Sequence, residues 1–136
     1  MKHAAIWAAL LLPLSSQAGE LQLELHGKGL SGQTLKVEVF DSAASFLSDK
    51  VIRGIRAHAQ GDSTRILMQN LPAGKYAVAV FADRNQNGKL DRNIAGMPTE
   101  QYGFSNDARR LFGPPSFADA AFELGDGAVV QSIHLQ

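Results

Sequence analysis

Oxygen-bearing side chains recur at alternate positions in one short stretch of this chain, residues 83–91. Asp83, Asn85, Asn87 and Asp91 carry carboxylate or amide oxygens, and Gly88 follows the third of them. In a tightly wound loop, alternate residues point their side chains at a common centre, and a glycine lets the backbone turn sharply. Oxygens at this spacing are the ligands that a hard cation such as Ca²⁺ prefers.

The stretch follows the start of an EF-hand calcium loop but departs from it at the end. The position that holds a bidentate glutamate in an EF-hand falls here on Ile94, and flanking helices are missing. We predict a calcium loop of the same local shape on a β scaffold, with Gly96 and Pro98 folding the chain back so that Glu100 completes the site. The predicted ligands are the side chains of Asp83, Asn85, Asn87, Asp91 and Glu100 and the backbone carbonyl of Lys89.

A structural turn is the alternative interpretation of the same residues. Asn and Asp side chains accept hydrogen bonds from their own backbone, and Asn87-Gly88 is by itself a good hairpin turn. The two interpretations differ in whether the oxygens face a cation or the loop's own N–H groups.

Composition excludes several classes of protein. The chain has 136 residues, which fit one domain, and its 13 Lys and Arg balance 13 Asp and Glu. No basic stripe is present, which argues against nucleic acid as a partner. The absence of cysteine excludes disulfides, thiolate metal sites and cysteine nucleophiles.

The first eighteen residues have the pattern of a secretory signal peptide. Lys2 gives a positive start, residues 6–14 are almost wholly apolar, and Ser16-Gln17-Ala18 fits a cleavage site after Ala18. The apolar run is shorter than the roughly twenty residues of a membrane-spanning helix. We therefore predict a signal peptide at 1–18, a β-sandwich domain at 19–136 and a periplasmic or secreted protein with no transmembrane anchor after cleavage.

Alternation of apolar and polar residues predicts strands along the rest of the chain. Leu21, Leu23 and Leu25 alternate with polar residues, and similar patterns occur at 35–39, 64–69 and 129–135. Residues 75–82 are apolar on both faces, as in a central strand, whereas the mixed 51–59 favours a sheet edge. With a further strand at 118–124, the pattern is typical of an all-β fold, a single antiparallel β-sandwich of about seven strands.

Residues 92–116 form a long segment that is too apolar for disorder, and we predict an ordered, functional loop. Within it, Tyr102, Phe104, Ser105 and Asn106 are candidates for a ligand or partner surface. Gly103-Phe104-Ser105 resembles the start of a nucleophile elbow, but Asp107 stands where the second glycine belongs. We therefore predict that the protein is not an enzyme.

Several motifs together resemble one family of small exported bacterial proteins, catalogued as domain of unknown function 2141. The motifs are residues 71–77, 83–91, 96–98, Glu100, 102–106, 115–117 and 119–120. The resemblance covers nearly the whole of 19–136 and implies an exported β-sandwich without an established activity. A looser similarity, to prealbumin-like and collagen-adhesin-repeat sandwiches, adds that some of those domains carry comparable calcium loops.

Two functions follow as expectations. In the first, Ca²⁺ bound at 83–91 acts as a structural clip that orders the long loop of an exported, non-enzymatic protein. In the second, residues 102–117 dock a cell-envelope protein or a glycan, and residues 83–91 are only a structural turn.

Overall fold

The structure, a computed structural model, describes residues 18–136 and contains two β-sheets packed face to face. The predicted signal peptide lies outside the described residues, apart from Ala18. No helix within 18–136 is long and apolar enough to cross a membrane. In chain order the elements are β1 (Ala18–His26), β2 (Thr34–Phe40), β3 (Arg53–His58), β4 (Ser63–Pro72), β5 (Gly74–Asp83), β6 (Tyr102–Phe104), a 3₁₀ turn (Ser105–Asp107), α1 (Phe117–Ala120), β7 (Phe122–Leu124) and β8 (Ala128–His134).

The smaller sheet has the order β4-β1-β8, and the larger sheet has the order β3-β2-β5-β6 with β7 also pairing with β5. The predicted all-β sandwich is therefore confirmed. The central position of β5 and the edge position of β3 also agree with the sequence patterns. The pairing is antiparallel except between β1 and β8, which run parallel with His26 opposite His134. This one pair departs from the wholly antiparallel sandwich that we expected.

The main core lies between the sheets and follows from the alternation of apolar residues. Leu21, Leu23 and Leu25 of β1 and Leu35, Val37 and Val39 of β2 are all at most 1% exposed. Burying a side chain of this size contributes about 1.5–3 kcal/mol. The period of two therefore fixes which face of each strand packs inward.

A second apolar cluster covers the outer face of the larger sheet, so β5 is buried on both of its faces. Ala77 of β5, Phe104 of β6 and Ala120 of α1 are buried together. The ring of Phe46, from the turn after β2, lies 6.1 Å from the ring of Phe104 and 6.0 Å from that of Phe117. This cluster holds the segments after β2 and after β6 against the sheet.

One predicted strand is replaced by a helix and a shorter strand, and the long loop contains a strand that was not predicted. Residues 118–124, predicted to be one strand, form the end of α1 and the short β7 instead. The reason is a capping box, in which the Ser116 hydroxyl accepts from the Asp119 N–H and the Asp119 carboxylate accepts from the Ser116 N–H. The long segment 92–116 is packed, as expected, and it contributes β6 to the larger sheet.

Candidate functional site

The oxygen-rich loop begins at Asp83, the last residue of β5. Its carboxylate is 1% exposed, and Oδ2 accepts a hydrogen bond of 2.8 Å from the N–H of Gly88. Gly88 has φ +76°, a conformation that favours glycine. The other oxygen of Asp83, Oδ1, is buried and accepts no hydrogen bond from any described residue. Leaving a buried oxygen of this kind without a donor is costly, by about 1–3 kcal/mol or more for a charged group.

Asn85, Asn87 and Asp91 converge within the same loop. The side-chain amides of Asn85 and Asn87 donate to the two carboxylate oxygens of Asp91, the latter over 2.7 Å. Their amide oxygens accept from the backbone N–H groups of Asn87 and Lys89. The structure thus brings these predicted ligands together, and it also shows the local Asx hydrogen bonds of the turn interpretation.

Glu100 reaches the loop from nine residues beyond Asp91. It is 6% exposed, and its two oxygens accept from the N–H of Arg84 over 2.7 Å and the N–H of Asp91 over 2.9 Å. The carboxylate therefore ties together the two ends of the loop. Within residues 18–136, no three His, Cys, Asp or Glu side chains are grouped so as to hold a metal ion. Calcium binding at this loop stays a prediction.

Basic side chains of the larger sheet lie beneath the loop. Lys36 of β2 donates to the carbonyl of Gly88 over 2.7 Å and lies 3.9 Å from Glu38. A Cβ added at Gly88 would lie 3.1 Å from the guanidinium of Arg56 on β3. The hydrogen bond from Lys36 anchors the loop to the sheet, and the two positive charges partly offset the negative charges of Asp83, Asp91 and Glu100.

A groove of about 480 Å³ separates this loop from the segment before α1. We call this space the groove, and its floor is the outer face of β2, β5 and β6, formed by Glu38, Ala79, Phe81, Tyr102 and Phe104. Its volume falls in the range of about 300–1,000 Å³ that is usual for small-molecule sites. Burial raises the pKa of Glu38, an effect that nearby Lys36 partly opposes.

The four candidate surface residues of the long loop have two different locations. Tyr102 and Phe104 line the groove, with ring centroids 5.8 Å apart. Ser105 is fully buried: its hydroxyl accepts from the N–H of Val78 over 2.9 Å and donates to the carbonyl of Ala120. The hydroxyl of Ser105 is therefore engaged with backbone groups.

Asn106, although exposed, is also engaged with backbone and side-chain groups. Its side chain donates to the carbonyls of Asp119 and Ala121, and its N–H donates to the side chain of Gln131 over 2.8 Å. Its φ of 59° lies in the left-handed region, which asparagine tolerates better than most residues. The hydrogen bonds of Asn106 join the 3₁₀ turn to α1 and β8.

Sequence reasoning missed two features that arise from strand pairing. The groove was missed because its floor combines residues from three strands that are far apart in sequence. No separate signal for it exists in the sequence, since Glu38 takes an ordinary polar position in the alternating pattern of residues 35–39. The second feature is a stacked pair of imidazole rings, those of His26 and His134, with ring centroids 4.9 Å apart. Asp107 lies beside this pair, and its Oδ2 is 2.8 Å from Nδ1 of His134. Only the parallel register of β1 and β8 reveals it.

Comparison with known proteins agrees with the motifs in the sequence. Residues 27–132 match a family described as uncharacterized proteins conserved in bacteria, DUF2141. No curated protein matches the chain. The predicted resemblance is thereby confirmed, whereas the looser similarity to prealbumin-like sandwiches stays a prediction. Since the match covers the oxygen-rich loop, the groove and most of both sheets, the chain belongs to the DUF2141 family of bacterial proteins.

Proposed function

We propose that this is an exported, non-enzymatic protein in which Ca²⁺ at the oxygen-rich loop fixes one wall of the groove. The observation that carries the proposal is the buried Oδ1 of Asp83, which accepts no hydrogen bond from any residue in 18–136. The same carboxylate faces the loop, because its Oδ2 bonds the N–H of Gly88. A cation beside Oδ1 would satisfy this oxygen and offset the charge of a buried carboxylate.

Binding requires a modest rearrangement of the loop. The amide groups of Asn85 and Asn87 present nitrogen, not oxygen, to Asp91. Rotating each amide by half a turn would present oxygen instead, and such an arrangement is favourable only with a cation between the oxygens. The carboxylate of Glu100 already accepts hydrogen bonds from the N–H groups at both ends of the loop. Glu100 therefore holds the loop closed and adds negative charge near the ion.

Export rests on the pattern of residues 1–18, and the weak affinity expected of such a loop suits a calcium-rich exterior. Extracellular calcium modules bind with dissociation constants of about 10⁻⁴–10⁻³ M. At 10 mM Ca²⁺ these constants correspond to a stabilisation of about 1.4–2.7 kcal/mol. For a domain of this size, the melting temperature should rise by roughly 4–12 °C.

The test is calcium titration of EDTA-treated protein by calorimetry, together with thermal melting. Asp91→Asn removes one charge while keeping the size of the side chain, and we expect it to lose most of the calcium-dependent rise in melting temperature. Asp126→Asn, at an exposed turn between β7 and β8, is the matched control and should keep the full rise. An unchanged melting temperature and no binding heat up to 10 mM Ca²⁺ would refute the proposal and leave a structural turn.

The second candidate, an interaction module for an envelope protein or a glycan at residues 102–117, has narrower support. Tyr102 and Phe104 do line the groove, but Ser105 and Asn106 bond other parts of the fold. The groove itself is thus the surface that a binding function would use.

A further inference from the structure

The groove has a floor whose shape follows from the strand register. Glu38 of β2 lies opposite Ala79 of β5, which lies opposite Phe104 of β6. In the next row Phe81 lies opposite Tyr102. Because alanine is the smallest side chain in these two rows, the floor is lowest at Ala79, between aromatic rings. The floor is therefore an apolar depression with the Glu38 carboxylate and the Lys36 ammonium group at one side.

The two walls present apolar side chains to solvent. Met97, on the wall formed by residues 88–98, is 60% exposed. Leu111 and Phe112, on the opposite wall, are 89% and 87% exposed. Exposed apolar side chains grouped around a cavity are typical of a ligand-binding site or an interface. An apolar body lying in the groove would cover the floor and remove these side chains from water.

Charge determines what kind of apolar ligand fits. At the floor, Glu38 is balanced by Lys36 at 3.9 Å, and on one wall Arg110 is balanced by Asp119 at 3.2 Å. On the other wall, Lys89 and Arg92 form no ion pair with any described residue. The unbalanced charge of the groove is therefore positive, and it lies at the rim and not at the floor.

We propose that the groove binds a small amphipathic carboxylate, a single molecule with an apolar body and one anionic head. The body lies on Ala79, Phe81 and Phe104, and the head bonds Lys89 and Arg92 at the rim. Because Lys36 already balances Glu38 at the floor, the unbalanced charges of Lys89 and Arg92 at the rim fix this orientation. The ligand and Ca²⁺ would occupy different positions, since the head meets the side chains of Lys89 and Arg92 and not the side-chain oxygens of the 83–91 loop.

The test uses a fluorescent amphipathic carboxylate, dansylaminoundecanoate, added to the purified protein. We expect saturable binding of one molecule per chain with a blue shift of the dansyl emission. Decanoate should displace the probe, whereas decyltrimethylammonium, with the same chain length and the opposite charge, should displace it at least tenfold less effectively. Equal displacement by both competitors, or no saturable binding, would overturn the proposal.

Variants then locate the site. Lys89→Gln with Arg92→Gln should weaken probe binding about tenfold or more, because charge-assisted hydrogen bonds to the head are lost. Lys28→Gln with Lys50→Gln removes the same charge from exposed positions outside the groove and should leave binding unchanged. Ala79→Leu should abolish binding by filling the depression. If that variant does not fold, the rim variants and the competitors still decide the question.

Two further measurements separate this proposal from calcium binding and from binding to a membrane surface. Binding is measured with and without Ca²⁺, so a failure of the calcium proposal leaves this result standing. Vesicles of phosphatidylglycerol test whether the exposed side chains bind a membrane surface instead. Binding to vesicles without saturable binding of decanoate or of the probe would overturn the proposal in favour of a membrane surface.

Discussion

The buried hydroxyl of Ser105 offers a sharp test of how the long loop is held. The hydroxyl is 0% exposed, accepts from the N–H of Val78 and donates to the carbonyl of Ala120. Ser105→Ala removes one oxygen atom and leaves these two backbone groups without a partner. Each buried group left unsatisfied costs about 1–3 kcal/mol, and part of this cost is recovered by local relaxation. We therefore expect the free energy of unfolding to fall by about 2–4 kcal/mol.

Urea denaturation followed by far-ultraviolet circular dichroism measures this loss. With a slope of about 2 kcal/mol/M, the midpoint should fall by roughly 1–2 M. Ser31→Ala, in the exposed turn before β2, is the matched control, and it should change stability by no more than about 0.5 kcal/mol. A change below about 0.5 kcal/mol for Ser105→Ala would show that the two hydrogen bonds do not hold the 3₁₀ turn and α1 against β5.

Two more predictions concern the larger sheet. Because burial raises the pKa of Glu38 above its unfolded value, the stability that its protonated form contributes is present at low pH and is lost as pH rises through the folded pKa. The stability of Glu38→Gln relative to wild type should therefore be greater at pH 7 than at pH 4. Thermal melting of both proteins at both pH values measures this difference in stability, and a difference that is constant or reversed would contradict the prediction. Gly103→Ala would place a Cβ 2.8 Å from the carbonyl oxygen of His134 and from a methyl group of Ile133. Such overpacking should cost about 1–3 kcal/mol, and urea denaturation showing no loss would refute the predicted clash.

Alternation along the sequence was enough to predict most of the sandwich. Residues 75–82, apolar on both faces, became the central β5, and the mixed segment 51–59 became the edge strand β3. Alternation carries no information on strand direction, which is why the parallel pairing of β1 with β8 was not foreseen. The helix α1 was missed because its local signal, the Ser116-x-x-Asp119 capping box, precedes only four helical residues.

The candidate site was likewise predictable only where its residues are close in sequence. The oxygens of residues 83–91 are close in sequence, so their spacing predicted a compact loop, and Glu100 lies near enough in sequence for its return to be anticipated. The groove depends on register between β2, β5 and β6 and on two long connections, which a single sequence does not specify. Whether the loop's oxygens face a cation or N–H groups depends on side-chain rotations that the residue types leave open.

The parallel pairing of β1 with β8 also bears on how the protein folds. The Glu24 carboxylate accepts a hydrogen bond from the Ser132 hydroxyl, across 108 residues of sequence. Beyond β8, Gln136 exchanges backbone hydrogen bonds with Tyr102 of β6, so the same segment ties the smaller sheet to the larger one. Such distant contacts form late, since a long loop must close before they contribute. Until then β1 has only β4 as a neighbour, and its other edge is open to pairing with foreign strands.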